Sequence, residues 1–269
     1  MTRYCSMIAL IVFISSCTTN AVTGRKQLSL VSDAEVKSMA VTEYKQFLSA
    51  NKVVSAGVSK DAEMVRRIGG RLTTAITAYY TSQGKANVLD GYEWEYNLVD
   101  SKEANAWCMP GGKIVVYTGL LPITQNEAAL AVVMGHEITH ALANHGKERM
   151  SMGLAQQLGG VALSVALASK PAETQNLFMT AYGAGSQVGI TLPFSRRDEY
   201  EADKLGLNFA AMGGYNPQEA IALWERMEKA AGSGKPPEML STHPSEGNRI
   251  ARLKEQMPEA LTYYKPVGR

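Results

Sequence analysis

From Ser32 onward the chain alternates between helical and strand-like patterning. Ser32 and Glu35 are spaced as a capping box, and apolar residues then recur at helical intervals through Val36, Met39, Val41, Tyr44 and Phe47. A second helix is predicted over about Lys60 to Tyr80, with Met64, Ile68, Leu72 and Ile76 on one stripe. Between Tyr92 and Asp100 the pattern switches to alternation. Lys113 to Leu121, entered through Pro110-Gly111-Gly112, reads as another strand. Helical spacing returns from Asn126 to about Met150. No internal repeat or second domain interrupts this order. The pattern predicts one α+β domain over residues 32–269, predominantly helical, with a small sheet.

Upstream of Ser32 the pattern is different. Arg3 precedes an apolar run, Ile8 to Ile14, too short to span a bilayer, and Ser15-Ser16-Cys17 follows. A basic start, a short apolar core and small residues predict a signal peptide over residues 1–16. Ile14-Ser15-Ser16-Cys17 is also similar to the bacterial lipobox, in which the Cys is diacylated and becomes the new N-terminus; an ordinary signal peptide with an incidental Cys is the alternative. On the lipobox reading Cys17 anchors the chain to a membrane, residues 17–31 form a tether, and the domain faces the periplasm of a bacterial cell envelope. Thr18 in place of Asp at the next position points to the outer membrane. Cys5 would leave with the signal and Cys17 would be thioether-linked, so Cys108 has no disulfide partner and stability rests on the core.

Composition removes some classes of function. The 269 residues are 45% hydrophobic and 19% charged with a net charge of +2, a globular balance without basic clusters. Disorder and nucleic-acid binding are both excluded as readings.

The candidate chemistry is concentrated in GHEITHALANH, Gly135 to His145, which holds three of the four histidines. Residues four apart on a helix are offset by roughly 40°, so His136 and His140 project together, with Glu137 on the flank of that face. Two imidazoles at this spacing suit zinc, with the glutamate as general base. The alternative is a helix with two hydrogen-bonded histidines. His145 is rotated by roughly 140° from His140 on a continuous helix and is assigned to the helix end, beside exposed carbonyls. A catalytic zinc needs a third protein ligand. In SRRDEYEADKLG, Ser195 to Gly206, Glu199 and Asp203 share a face while Glu201 points elsewhere. That pair suits one ligand and one carboxylate orienting an imidazole; an acidic helix start is the competing reading.

GHEITHALANH, EYEAD and the preceding NAWCMPGGKIVVYTGLL together resemble the zinc metallopeptidases that include HtpX, the CAAX prenyl endopeptidases and the Oma proteases. The likeness is strongest to their periplasmic lipoprotein branch, to which BepA and LoiP belong. It implies a gluzincin domain, mostly helical with a small sheet, in which Glu199 is the third zinc ligand and Asp203 a catalytic or orienting partner. It also implies polypeptide substrates, namely misfolded or unassembled envelope proteins. BepA-like proteins carry a helical repeat domain after the protease, and the resemblance, which stops at Arg269, does not carry over docking functions of that domain. A metal-binding, chaperone-like scaffold that rarely cuts is the competing function.

Three further expectations attach to this reading. The strand before the His helix would offer an edge to an extended substrate. Asn105, Ala106, Gly111 and Gly112 would form its rim, or else a purely structural hairpin. His243, in STHPSEGNRI, would either stabilise the oxyanion or occupy the open zinc position; Arg249 is a weaker oxyanion candidate and reads as a helix-surface cation. The uncharged stretches Met150 to Ser169 and Thr174 to Ser195 read as Ala/Gly-rich helices and a flap, moving at YGAGSQVG, with a double membrane pass as the alternative.

Overall fold

The computed structural model describes residues 17–170, 172, 174–176, 178–180, 192–232, 237–243 and 247–266. The segment expected to be a signal peptide, residues 1–16, and the expected moving part YGAGSQVG lie outside the described residues. Two short strands, β1 (Cys17–Thr19) and β2 (Lys26–Leu28), pair antiparallel as a hairpin. Helix α1 (Asp33–Ala50) follows, and the capping box at its start is present in full: Glu35 N–H donates to Ser32 Oγ, and Ser32 N–H to Glu35 Oε2. After β3 (Val53–Val54) comes α2 (Lys60–Ser82), whose Ile68, Leu72 and Ile76 are fully buried.

A four-stranded sheet is completed by β4 (Glu95–Val99), β5 (Ala106–Met109) and β6 (Lys113–Tyr117), in the order β3-β4-β6-β5. The β4–β6 pair is parallel and the other two are antiparallel. Alternation divides the sheet between two layers. Tyr44 of α1 packs with Val99 and Val115 on one face; Leu98, Ala106, Ile114 and Val116 enter the main core on the other. Both expected strands are shorter than their apolar runs. Tyr92 and Trp94 stack on each other ahead of β4, and the chain leaves β6 in a 3-10 turn, Thr118–Leu120.

The predicted helix from Asn126 to Met150 is two helices. In α3 (Glu127–Leu142), capped by Asn126 accepting from Ala129 N–H, every residue from Ala129 to Leu142 is buried. It stops because Asn144 is left-handed, with φ 57°, a conformation Asn tolerates better than most residues. Helix α4 (His145–Leu167) then sets off in a new direction. Its root is fixed by Lys147 on Asp33 and by Leu30 N–H on Ser151 Oγ. Farther along, Leu154, Leu158, Val161 and Val165 are exposed; among the described residues α4 is the one helix long and apolar enough to cross a membrane.

The chain closes with α5 (Leu192–Met212), α6 (Glu219–Ala231), the short α7 (Glu238–Thr242) and α8 (Arg249–Tyr263). Helices α3 and α5 cross at Gly135 and Gly206. A Cβ on Gly206 would lie 2.6 Å from His136 N and 2.7 Å from His136 Cα. This backbone-to-backbone approach sets the face bearing His136 and His140 against the face bearing Glu199 and Asp203.

The stretch expected to be a tether, residues 17–31, hydrogen-bonds to the end of α3. Asn20 Nδ2 donates to the Leu142 carbonyl at 3.0 Å and Gln27 Nε2 to the Ala143 carbonyl at 2.6 Å. These bonds cap carbonyls that the end of α3 leaves without helical partners. The folded unit therefore includes residues before Ser32, a boundary invisible to local pattern because both partners lie more than a hundred residues away.

Candidate active site

Four buried donor groups converge between α3, α5 and the end of α7. His136 Nε2 lies 3.0 Å from His140 Nε2 and 3.2 Å from Glu199 Oε2, and His140 Nε2 lies 3.4 Å from Glu199 Oε1. His243 Nδ1 is 3.3 Å from His136 Nε2 and 3.0 Å from Glu199 Oε1. Zinc ligands at 2.0–2.1 Å in a tetrahedron are separated by about 3.3–3.4 Å. Gaps of 3.0–3.4 Å approach the edges of such a shell, with Glu199 turning Oε2 to His136 and Oε1 to His140 and His243. The donor set thus suits a small divalent cation.

The surrounding charges prepare each group. Burial alone would raise the Glu199 pKa, but the close approach of His136, His140 and His243 outweighs it and holds the carboxyl far below the usual range. Burial also opposes charge on His136, yet Asp203 and Glu199 lift its pKa to about 9. At His140 burial wins and the pKa falls well below normal. Glu137 is buried beside them with its pKa pushed up by desolvation, against the opposing pull of His243 and His136. Its Oε1 has no hydrogen-bond donor among the described residues and sits 3.5 Å from His243 Nε2.

Asp203 lies outside this donor shell and accepts from the far nitrogen of a ligand-type histidine: His136 Nδ1 to Asp203 Oδ1 is 3.0 Å. Arg249 clamps the same oxygen at 2.5 Å. Arg249 is therefore not a surface cation. It is 2% exposed, and its guanidinium lies 3.5 Å from the Trp224 ring centroid. Periodicity placed it at the start of a helix but said nothing of what packs over that start.

His145 is likewise no bystander. The break at Asn144 turns it back under α3, fully buried, with its Nδ1 2.8 Å from His140 Nδ1 and its Nε2 3.0 Å from Glu201 Oε2. The rotation expected on one continuous helix does not apply across that break. The signal available in sequence was Asn144 itself, a residue suited to ending a helix. His145, Asp198 and Glu201 are close enough to hold a metal of their own, but Arg25 and Arg197 already supply the positive charge there.

The expected rim residues divide into two kinds. Gly111 and Gly112, at φ 88° and 89°, make the β5–β6 turn, and their carbonyls accept from Glu93 and Glu95 N–H. Asn105 is half-buried and its carbonyl accepts from Tyr117 N–H at 3.0 Å. Pairing Asn105 inward points the backbone groups of Ala106 and Cys108 away from β6, at the sheet edge. The Ala106 side chain is buried in the core. Cys108 is packed, not exposed; burial and the neighbouring Glu137 carboxylate push its thiol well above the ordinary range. The β5 edge thus runs beside Glu137.

Comparison with known proteins agrees with this arrangement. The profile of Peptidase family M48 matches residues 36–257. The mitochondrial metalloendopeptidase OMA1 of Schizosaccharomyces pombe is 36% identical over 169 residues, covering 62% of this chain and 48% of that protein. The mitochondrial metalloendopeptidase OMA1 of Bos taurus is 30% identical over 260 residues, covering 95% of this chain and 49% of its own length. The beta-barrel assembly-enhancing protease of Escherichia coli K12 is 30% identical over 167 residues, covering 61% and 34% respectively. The chain spans about half the length of the OMA1 relatives it matches, or less.

Proposed function

The chain belongs to Peptidase family M48, and from that premise we propose that it is a zinc-dependent endopeptidase acting on misfolded or unassembled proteins of a bacterial cell envelope. The observation that carries the peptidase reading is the convergence of His136, His140 and Glu199 at tetrahedral spacing with Glu137 alongside. Zinc held by those three residues would supply Lewis acidity, acidifying water and offsetting charge on the substrate carbonyl oxygen. Glu137 takes the proton of the attacking water and passes it to the leaving amine. Asp203, fixed by Arg249, holds His136 with its Nε2 toward the site.

Substrate would lie along β5. The Ala106 C=O and the Cys108 N–H and C=O point outward for an extended segment to pair with, next to Glu137, while the Ala106 N–H donates to Asn105 Oδ1 at 2.9 Å. Such recognition reads backbone more than side chains, which suits unfolded clients. The envelope assignment rests on Ile14-Ser15-Ser16-Cys17 and on the similarity to the beta-barrel assembly-enhancing protease of a bacterium; Cys17, exposed at the start of β1, would carry the lipid.

His243 has a double position. Its Nδ1 completes the tetrahedral donor set and its Nε2 faces the general base. A side chain there covers both groups that must reach water, so His243 acts as a closing ligand that moves aside for substrate. His243→Ala is expected to raise casein turnover several-fold while Glu137-dependent cleavage persists. A fall to background would instead assign His243 to the oxyanion. The metallopeptidase reading itself is tested by casein degradation that stops with a chelator and returns with zinc. Cleavage indifferent to the chelator would refute it.

A further inference from the structure

Resting on the zinc reading above, we propose that Arg25, Glu201 and His145 form a positioning chain that fixes the orientation and tautomer of His140, making the N-terminal hairpin a working part of the metal site. Hydrogen-bond direction carries the inference. His140 presents Nε2 to the donor cluster, so its ring proton belongs on Nδ1. That Nδ1 stands 2.8 Å from His145 Nδ1, and of two facing ring nitrogens one must donate and one accept. His140 Nδ1–H therefore donates, and His145 Nδ1 accepts.

The next links follow without a free choice. With its Nδ1 accepting, His145 carries its proton on Nε2 and donates to Glu201 Oε2 at 3.0 Å. Arg25 donates to both oxygens of Glu201, Nε to Oε1 at 2.7 Å and NH2 to Oε2 at 3.2 Å, and so fixes the carboxylate that accepts from His145. Such a fork binds a carboxylate with fixed geometry. Arg25 in turn sits on the hairpin segment that Asn20 and Gln27 tie to the last carbonyls of α3, at the helix break that delivers His145. Each group is oriented by the one behind it. The arrangement parallels that of His136, whose Nδ1 faces Asp203 with Arg249 behind. Both helix-borne histidines would then be held at their far nitrogen by a carboxylate and an arginine, His140 with one imidazole interposed.

A cluster that only packed the domain together would respond to mutation through stability alone. A positioning chain would respond at the metal. The full-length chain, loaded with zinc or with cobalt as a spectroscopic substitute, is compared for His145→Leu, His145→Asn and Glu201→Ala. The readouts are the rate of metal transfer to a chelator and the cobalt absorption bands. His145→Leu and Glu201→Ala are expected to release metal about 10–100 times faster and to shift the bands. His145→Asn, whose amide oxygen can accept from His140 Nδ1–H where the ring nitrogen stood, is expected to stay within a few-fold of wild type. If His145→Leu does not fold, the other two decide. Glu201→Ala with wild-type release and bands overturns the proposal, as does His145→Asn leaking like a variant with no acceptor. A wild-type chain that takes up no metal overturns the zinc reading and this inference with it. Tight wild-type binding beside unchanged variants overturns the inference alone.

Discussion

Glu137→Gln is expected to lower peptide hydrolysis roughly a hundred- to ten-thousand-fold while leaving metal content and fold intact. The substitution keeps the shape of a side chain that is 3% exposed, so α3 loses no packing. What it removes is an oxygen that can take a proton. Among the described residues the only other carboxylates at the centre are engaged: Glu199 faces three histidines and Asp203 is clamped by Arg249. No neighbour is therefore placed to take over as base. His136, His140 and Glu199 are untouched, so a zinc assay should still give one ion per chain. Residual kcat/KM within ten-fold of wild type, at full metal content, would remove Glu137 from the proton-transfer role.

Gly206→Ala is expected to be strongly destabilising although it replaces no side chain of the site. The added Cβ would meet His136 N at 2.6 Å, His136 Cα at 2.7 Å and the Gly135 carbonyl carbon at 2.9 Å. These are backbone atoms in a fully buried helix and cannot rotate away, so α3 and α5 must separate. Overpacking of this kind costs about 1–3 kcal/mol, which for a chain of this size is a fall in Tm of roughly 2–6 °C. Separation also pulls Glu199 away from His136 and His140, so metal affinity should fall in the same variant. Gly70→Ala on α2 is the matched control, since nothing lies within 4 Å of its Cβ. It should be stabilising by about 0.5–1 kcal/mol through helix propensity and a less flexible unfolded chain. A Gly206→Ala melt within a degree of wild type would show that the crossing is looser than its geometry implies.

Much of the centre was legible because it is written in helical periodicity. Four-residue spacing alone places His136 with His140 and Glu199 with Asp203, and the capping box at Ser32 and Glu35 forms as its residue types require. The same logic failed where a helix ended. Helical rotation does not carry through to His145, because Asn144 is left-handed and restarts the helix. Arg249 was misread because a charge at a helix start looks solvent-facing until Asp203 and Trp224 close over it from other elements. Arg25 lay in a stretch with no periodicity at all, and its partners Glu148, Asp198 and Glu201 are more than a hundred residues away.

What the sequence determined by itself was the type and the local direction of each candidate site side chain: two imidazoles and a glutamate on one helical face, two carboxylates on another, and a histidine in a loop. Tertiary structure decided which faces meet and what stands behind them. The contact of Gly135 with Gly206, the return of His145 beneath His140, and the hairpin that brings Arg25 to Glu201 are all fixed by packing between distant segments. Periodicity fixes where a side chain points relative to its own helix axis. Only the crossing of two axes fixes what it points at.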